Sequence, residues 1–321
     1  MSPELPVALR AEMEIWLAEG QRGPHHQDSA RLTKIYAAGQ NSHSVDLSAY
    51  VAARMPATFA AISKALVETA RLMPHFAPKT LLDIGAGPGT ASHAATAQWP
   101  SLSEIEMVET DKRFADLATR LGLGLLPPFK IALQPMEHSS AKADLVIAAY
   151  VLAEQPQAKV AQTTSRLWQS TQGVLVVVEP GTPEGFARIR AVRQAGLALG
   201  AHLVGPCTHD LPCPMAGTDW CHFKVRLARS RAHMRAKKAT VPFEDEPYSW
   251  VAFSRQPVER QQSRIVRPVV KAKHGLILSL CSSAGLTETT IAARDKPAYK
   301  AARHLQWGES ISLPAEQIKT A

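Results

Sequence analysis

The sequence predicts an α/β protein built on a doubly wound domain, with a helical region before it and a cysteine-rich insertion and a small β-rich module after it. Three observations carry this prediction. Short apolar runs, "TLLDIGAG", "EIEMVET", "ADLVIAAYVL" and "GVLVVVEPG", alternate with helical segments from about residue 79. A glycine turn joins the first of these runs to a helix. After residue 201 the alternation stops, and Pro, Cys, His and basic residues take over.

Residues 1–75 read as a helical N-terminal region. Segments 5–20 and 51–75 repeat apolar positions at helical spacing and are rich in Ala and Leu, with the polar stretch "GQNSHSVDLS" between them. Residues 76–200 form the doubly wound domain, because apolar runs bounded by Gly, Pro and acids fit a parallel sheet covered on both faces. Residues 201–247 form the cysteine-rich and basic segment. Residues 248–321 form the β-rich module, with "YSWVAFSR", "SRIVRPVV", "GLILSLC" and "TETTIAAR" as its strands.

A chain of 321 residues with 45% hydrophobic and 20% charged residues buries a sizeable core without disulfides. No apolar run approaches the length of a spanning helix, so no membrane role is expected. Glu4, Glu12, Glu14 and Glu19 in the opening segment argue against a secretory or organelle leader, and the expected location is the cytoplasm, where thiols stay reduced. The charge is unevenly spread: of 36 basic and 28 acidic residues, 18 of each lie in residues 1–200, leaving 18 basic and 10 acidic beyond. An excess confined to one region points to a polyanionic partner there, RNA or DNA being the usual one.

In "LLDIGAGPGTASHAA" a strand ends in Asp83, Gly85, Gly87 and Gly89 follow, and a helix opens at Thr90. Such a turn lets the backbone approach a ligand whose negative end meets the helix N-terminus. Thr90 stands where the nicotinamide fingerprint needs its third glycine. The Gly-x-Gly-x-Gly spacing after an acid instead resembles the first motif of the S-adenosylmethionine-dependent methyltransferases, a Rossmann-like class. That resemblance implies cofactor contacts from Asp83, Gly85, Ala86, Gly87, Pro88 and Gly89, and ribose binding by Glu109 at the end of the second strand. The alternative is that the loop merely connects strand and helix. Methyltransferases acting on exocyclic amines carry an Asn/Asp-Pro-Pro-aromatic motif after the fourth strand, but here that region reads "AYVLAEQP" and no catalytic residue is assigned.

Cys207, Cys213 and Cys221 are spaced Cys-x5-Cys-x7-Cys, and Cys281 follows 60 positions later. The spacing is too wide for paired zinc ligands and does not match the short ferredoxin run. Metal ligation, with His209 and His222 as alternative ligands, and simple packing of buried thiols both stay open at this point. Beyond them, "KVRLARSRAHMRAKK" sets Lys224, Arg226, Arg229, Arg231, Arg235, Lys237 and Lys238 within fifteen residues without an acid. A one-sign run of this kind fits RNA phosphates better than a solvated helix face. Glu244, Asp245 and Glu246 then reverse the sign, either anchoring the basic segment or capping a turn.

The order of "RMPATFAAI", "LLDIGAGPGTA", "AYVLAE", "VVVEPGTPEGF", the cysteine and basic segment, "EDEPYSW" and "CSSAGLTETTIAARDKPAYKAARHLQWGE" closely resembles the methyltransferase-like family that acts with the mitochondrial small ribosomal subunit and has bacterial members. The likeness covers nearly the whole chain from about residue 31. It implies that Cys207, Cys213, Cys221 and Cys281 bind a [4Fe–4S] cluster, with zinc as the alternative, beside cations that face ribosomal RNA. The chain is then read as a bacterial, cytoplasmic, monomeric member that binds S-adenosylmethionine and the small subunit, as an rRNA methyltransferase or an assembly factor. A non-enzymatic assembly factor with a structural or redox-sensing cluster and a small-molecule methyltransferase with an incidental basic surface are the competing readings.

Overall fold

The computed structural model describes residues 4–20 and 46–312. The polar stretch expected between the first two helices lies, up to residue 45, outside the described residues. Strands β1 (Thr80–Ile84), β2 (Glu104–Glu109), β3 (Phe129–Leu133), β4 (Ala143–Ala149) and β5 (Thr171–Pro180) form a parallel sheet in the order β3-β2-β1-β4-β5. Side chains alternate across it. Leu81, Ile105, Met107, Leu145, Ile147, Val174 and Val176 enter one core, and Leu82, Ile84, Val108, Val146, Leu175 and Val177 the other. This two-sided burial makes the runs continuously apolar.

Helices cover both faces. Helix α1 (Val7–Gly20) precedes a helical turn (Leu47–Ala49), a π-helical segment (Tyr50–Arg54) and α2 (Met55–Leu72). Helix α2 packs with α3 (Thr90–Gln98) on the first face through Phe59, Ile62, Leu66 and Ala91. Helices α5 (Val160–Ser170) and α6 (Pro183–Ala198) bring Leu167, Trp168, Ile189 and Val192 to the second. Between them in sequence, α4 (Lys112–Gly122) is capped by Asp111, whose Oδ1 accepts from Arg113 N at 2.9 Å, and packs Leu117 and Leu121 against Leu9 and Met13 of α1. Among the described residues no helix is long and apolar enough to cross a membrane.

The sheet does not stay parallel. β8 (Phe243–Ser254) runs antiparallel to β5, and both β6 (His202–Gly205) and β7 (Phe223–Ala228) pair antiparallel with β8 on its other side. β6 meets the C-terminal part of β8 and β7 its N-terminal part, so the two are halves of one interrupted edge strand from which residues 206–222 loop out. Two expectations are corrected here: the sheet is mixed, and "YSWVAFSR" belongs to it rather than to the C-terminal module. Apolar patterning reports which face a strand buries, not its direction, and β8 sends Trp250 and Ala252 into one core of the large domain and Val251 and Phe253 into the other.

The β-rich module follows. β9 (Ser263–Ile265), β10 (Val270–Ala272), β11 (Gly275–Ser282), β12 (Gly285–Ala292) and β13 (Ser310–Ile311) form a second, antiparallel sheet, with α8 (Lys296–Ala302) against it. Its own core is Ile265, Leu276, Leu278, Leu280, Ile291, Ala302 and Ile311. Arg264 ties the module to the large domain: its guanidinium reaches Glu68 on α2 at 2.5 Å and Pro206 O at 2.7 Å.

Candidate functional site

The carboxyl edges of β1, β2 and β4 frame a cleft of ≈ 200 Å³ lined by Gly85, Gly87, Glu109, Thr110, Phe114, Gln134, Tyr150 and Glu154, with Tyr50 on its α2 side. Crevices at this edge are where doubly wound sheets bind ligands. Of the residues expected to hold a cofactor, Gly85, Gly87 and Glu109 line the cleft, whereas Asp83, Ala86, Pro88 and Gly89 stand behind it. Asp83 is buried under the loop, where Oδ2 accepts from Ser92 N at 3.0 Å and from Ser92 Oγ at 2.7 Å. Burial pushes its carboxyl up to about 6 against those hydrogen bonds. Its role in the fold is to fix the loop on α3. Gly89 is the left-handed residue from which α3 starts.

Glu109 closes the loop from the opposite strand. Its Oε2 accepts from Gly87 N at 2.8 Å, and its Oε1 from Thr110 N at 2.7 Å and Asp111 N at 2.9 Å. A carboxylate held by three backbone donors is a fixed acceptor at the cleft wall, suited to a pair of hydroxyls. Glu154 stands at the open mouth, where partial burial and then the charges of Glu109 and Asp111 push it up to about 7. The cleft wall is therefore acidic, which favours a ligand that carries positive charge.

Two tyrosines of the cleft were not anticipated. Tyr50, on the π-helical segment, sits edge-on to Phe114 at 5.1 Å, and burial pushes its hydroxyl up to about 12. No periodicity announces a π-turn, though such turns recur at functional sites. Tyr150 directly follows β4 with φ 59°, its ring 4.9 Å from the Arg54 guanidinium. Its Oη and the Oε2 of Glu179 at the end of β5 are both buried without a hydrogen-bond partner among the described residues. The sequence signal for Tyr150 was its place after the fourth strand, where the amine-methylating motif is missing.

The four thiols meet. Cys207, Cys213 and Cys221 on the 206–222 loop and Cys281 on β11 line one cavity, walled by Phe186, Met215, Trp250 and Val251. The cavity measures ≈ 30 Å³, about twice what one water requires. Burial raises the thiol of Cys207, raises that of Cys221 well above the ordinary value, and takes that of Cys281 up to about 12. His209 also lines the cavity, with Nε2 3.7 Å from Cys281 Sγ. His222 stacks on Trp220 at 5.1 Å instead. Among the described residues no three His, Cys, Asp or Glu side chains converge closely enough to hold a metal ion.

The basic run is less free than its sequence implies. Glu244 accepts from His233 Nε2 at 2.8 Å and pairs with Arg229 at 3.3 Å and with Lys237. Arg226 pairs with Asp245 at 2.7 Å and 2.8 Å, and Glu246 pairs with Arg54 at 2.9 Å. The acids after the run thus anchor it. Lys224 and Arg226 share the exposed face of β7, Arg231 and Arg235 are exposed on α7 (Arg231–Ala236), and Lys238 follows that helix with φ 50°. Burial alone would raise Glu244, but the hydrogen bonds from His233 and Lys237 overcome it and bring the carboxyl down to about 2. A depressed carboxyl contributes stability above its unfolded value that is lost as pH falls through the folded one. Glu244→Gln is therefore expected to cost about 2 kcal/mol at neutral pH, leaving His233 and its neighbours short of a partner. Urea unfolding at pH 7 and pH 3 checks this: the gap between parent and variant narrows at the lower pH.

Residues 44–312 match the family described as mitochondrial small ribosomal subunit Rsm22. The human mitochondrial ribosome assembly protein METTL17 is 29% identical over 293 residues, 82% of this chain and 62% of its own length. The mitochondrial Rsm22-cox11 tandem protein 2 of Schizosaccharomyces pombe is 25% identical, over 85% of this chain and 44% of its own. The chain thus spans less than two thirds of the length of these curated relatives. Among solved structures, magnesium protoporphyrin IX methyltransferase from Synechocystis PCC 6803 aligns with TM-score 0.44 and 9% identity, over 76% of this chain and all of that one.

These matches overturn the expectation of a bacterial, cytoplasmic protein, since the family and both curated relatives are mitochondrial. The expectation rested on the acids of the first twenty residues. Those acids lie on and beside α1, a helix that packs Leu9 and Met13 into the fold. The chain belongs to the mitochondrial small ribosomal subunit Rsm22 family.

Proposed function

We propose that this protein is a methyltransferase-like assembly factor of the mitochondrial small ribosomal subunit, which binds S-adenosylmethionine at the glycine-loop cleft and a [4Fe–4S] cluster at the thiol cavity. The observation that carries the reading is the meeting of all four cysteines, 74 positions apart at the extremes, around one apolar cavity at the junction of the two sheets. The names of the family and of its human relative support the ribosomal partner.

The residues present fit a metal group by the chemistry of their donors, since four cysteines line the one cavity. Four cysteine thiolates are the usual ligand set of a [4Fe–4S] core, which would supply a fixed anionic knot closing the 206–222 loop. At the cleft, Gly85, Gly87 and Glu109 would seat the methionine and ribose parts of the cofactor, and the acidic wall suits its sulfonium. Lys224, Arg226, Arg231 and Arg235 offer RNA phosphates an exposed array whose contribution falls with added salt. The protein acts as a monomer on that surface. Tyr150, in place of an amine-binding motif, favours assembly over methyl transfer as the role of the bound cofactor.

Purification without oxygen, followed by iron, sulfide and zinc analysis of the parent and of Cys213→Ser, tests the reading. About four irons and four sulfides per chain are expected, falling sharply in the variant. A chain with zinc alone, or with no metal, would sink the cluster assignment. Absence of S-adenosylmethionine binding by calorimetry would remove the methyltransferase-like part.

A further inference from the structure

One buried cation beside the thiols has no counter-ion. Arg193 on α6 is 6% exposed and lines the cavity with the four cysteines. Its Nη2 donates to His209 O at 2.7 Å and Leu211 O at 2.8 Å, clamping the loop between Cys207 and Cys213. Its Nε–H is buried with no acceptor. Among the described residues no carboxylate pairs with it, and Asp210 on the same loop is taken by Arg260 at 2.8 Å and 3.0 Å. Arg264, the other buried arginine at the loop, differs in being neutralised by Glu68.

A guanidinium removed from water without a partner is costly, and so is an orphaned N–H. Both costs disappear when the cavity holds an anion with acceptor atoms facing Arg193. Thiol sulfurs are weak acceptors and thiolates strong ones, and a cluster with four thiolates is anionic as a whole. The remaining walls are chiefly apolar, so the field of this one cation is little screened there.

We propose that Arg193 is the positioning residue of the thiol cavity, with its Nε–H donating to a sulfur of the anionic iron–sulfur group while its Nη2 fixes the loop that carries Cys207 and Cys213. The inference rests on the cluster reading above. Reduction adds negative charge next to the guanidinium, so Arg193 raises the reduction potential as well as the occupancy of the site. Arg190, one turn earlier and exposed, also lines the cavity but donates to Met215 O at 3.4 Å, and serves as the comparison cation.

The test uses the full chain purified without oxygen as parent, Arg193→Met, Arg193→Lys and Arg190→Gln. Iron and sulfide per chain, the midpoint potential from a redox titration followed by electron paramagnetic resonance, and far-ultraviolet circular dichroism are read for each. Arg193→Met is expected to fold and to lose most of its iron. Arg193→Lys keeps the charge but not the Nε–H, and is expected to hold a cluster at a potential below the parent's. If Arg193→Met does not fold, Arg193→Lys decides alone. Parent-like iron and an unchanged potential in the folded variants would overturn the proposal, as would an equal shift in Arg190→Gln. An iron-free parent chain would instead remove the cluster reading itself, and this inference with it.

Discussion

Gly85→Ala is expected to abolish S-adenosylmethionine binding and to lower stability by about 2–4 kcal/mol. Gly85 has φ +66°, and a Cβ there would stand 2.4 Å from Val151 Cγ2 and 2.8 Å from its Cβ. Val151 opens the turn after β4, so relief requires either the glycine loop or that turn to shift, and the two form facing walls of the cleft. Gly87→Ala is the informative contrast. Its φ is +54°, but the nearest atom to a new Cβ is Tyr50 Oη at 3.8 Å, which leaves only the left-handed backbone penalty of about 1–2 kcal/mol. Calorimetric binding and urea unfolding of both variants provide the check. Equal losses in the two would show that crowding at Val151 is not the deciding effect.

Raising the pH from 5 to 9 should weaken the fold, and Glu179→Gln should remove much of that weakening. Glu179 has no solvent exposure, and burial pushes its carboxyl from 4.5 up to about 8 against the hydrogen bond from Leu152 N. The native state therefore keeps a proton that the unfolded chain releases above about 4.5. Stability from this group is complete below that pH and is lost as pH climbs through about 8. Asp83, raised to about 6, adds to the loss at lower pH. The glutamine variant has no charge to desolvate, so at pH 9 it should be more stable than the parent by on the order of 2–3 kcal/mol, and at pH 5 nearly equal to it. Parallel stability profiles for the two proteins between pH 5 and 9 would rule out this account of Glu179.

The parallel strands were legible because burial on two faces leaves an unbroken apolar run, as in Val174–Val178. The glycine loop was legible because Gly85, Gly87 and Gly89 all adopt left-handed backbone that other residues avoid. β8 was placed in the wrong sheet because its apolar half follows a proline and three acids, and nothing local tells a strand which sheet it completes. The meeting of the cysteines was invisible for a related reason: Cys281 reaches the others through tertiary contacts, the pairing of β9 with β11 and the hold of Arg264 on α2 and the loop among them. Spacing left the thiols undecided, and only the family likeness joined them. Tyr50 escapes the helical pattern because it stands one residue before the segment 51–75 that repeats apolar positions, at the start of a π-helical segment. Glu244 showed its sign but not its reach, since a hub for Arg229, His233 and Lys237 depends on how α7 turns back over β7.

The interrupted edge strand has a consequence for how the molecule opens locally. Residues 206–222 leave and rejoin the same edge of β8, so the ladder on either side, Leu203 with Phe253 and Phe223 with Tyr248, closes without them. A segment bounded in this way opens as a small unit of its own, at a free energy set by its local contacts rather than by the whole domain. The loop can therefore loosen while the ladder on either side of it stays paired, so amide exchange within residues 206–222 is expected to be faster than at Leu203 and Phe223.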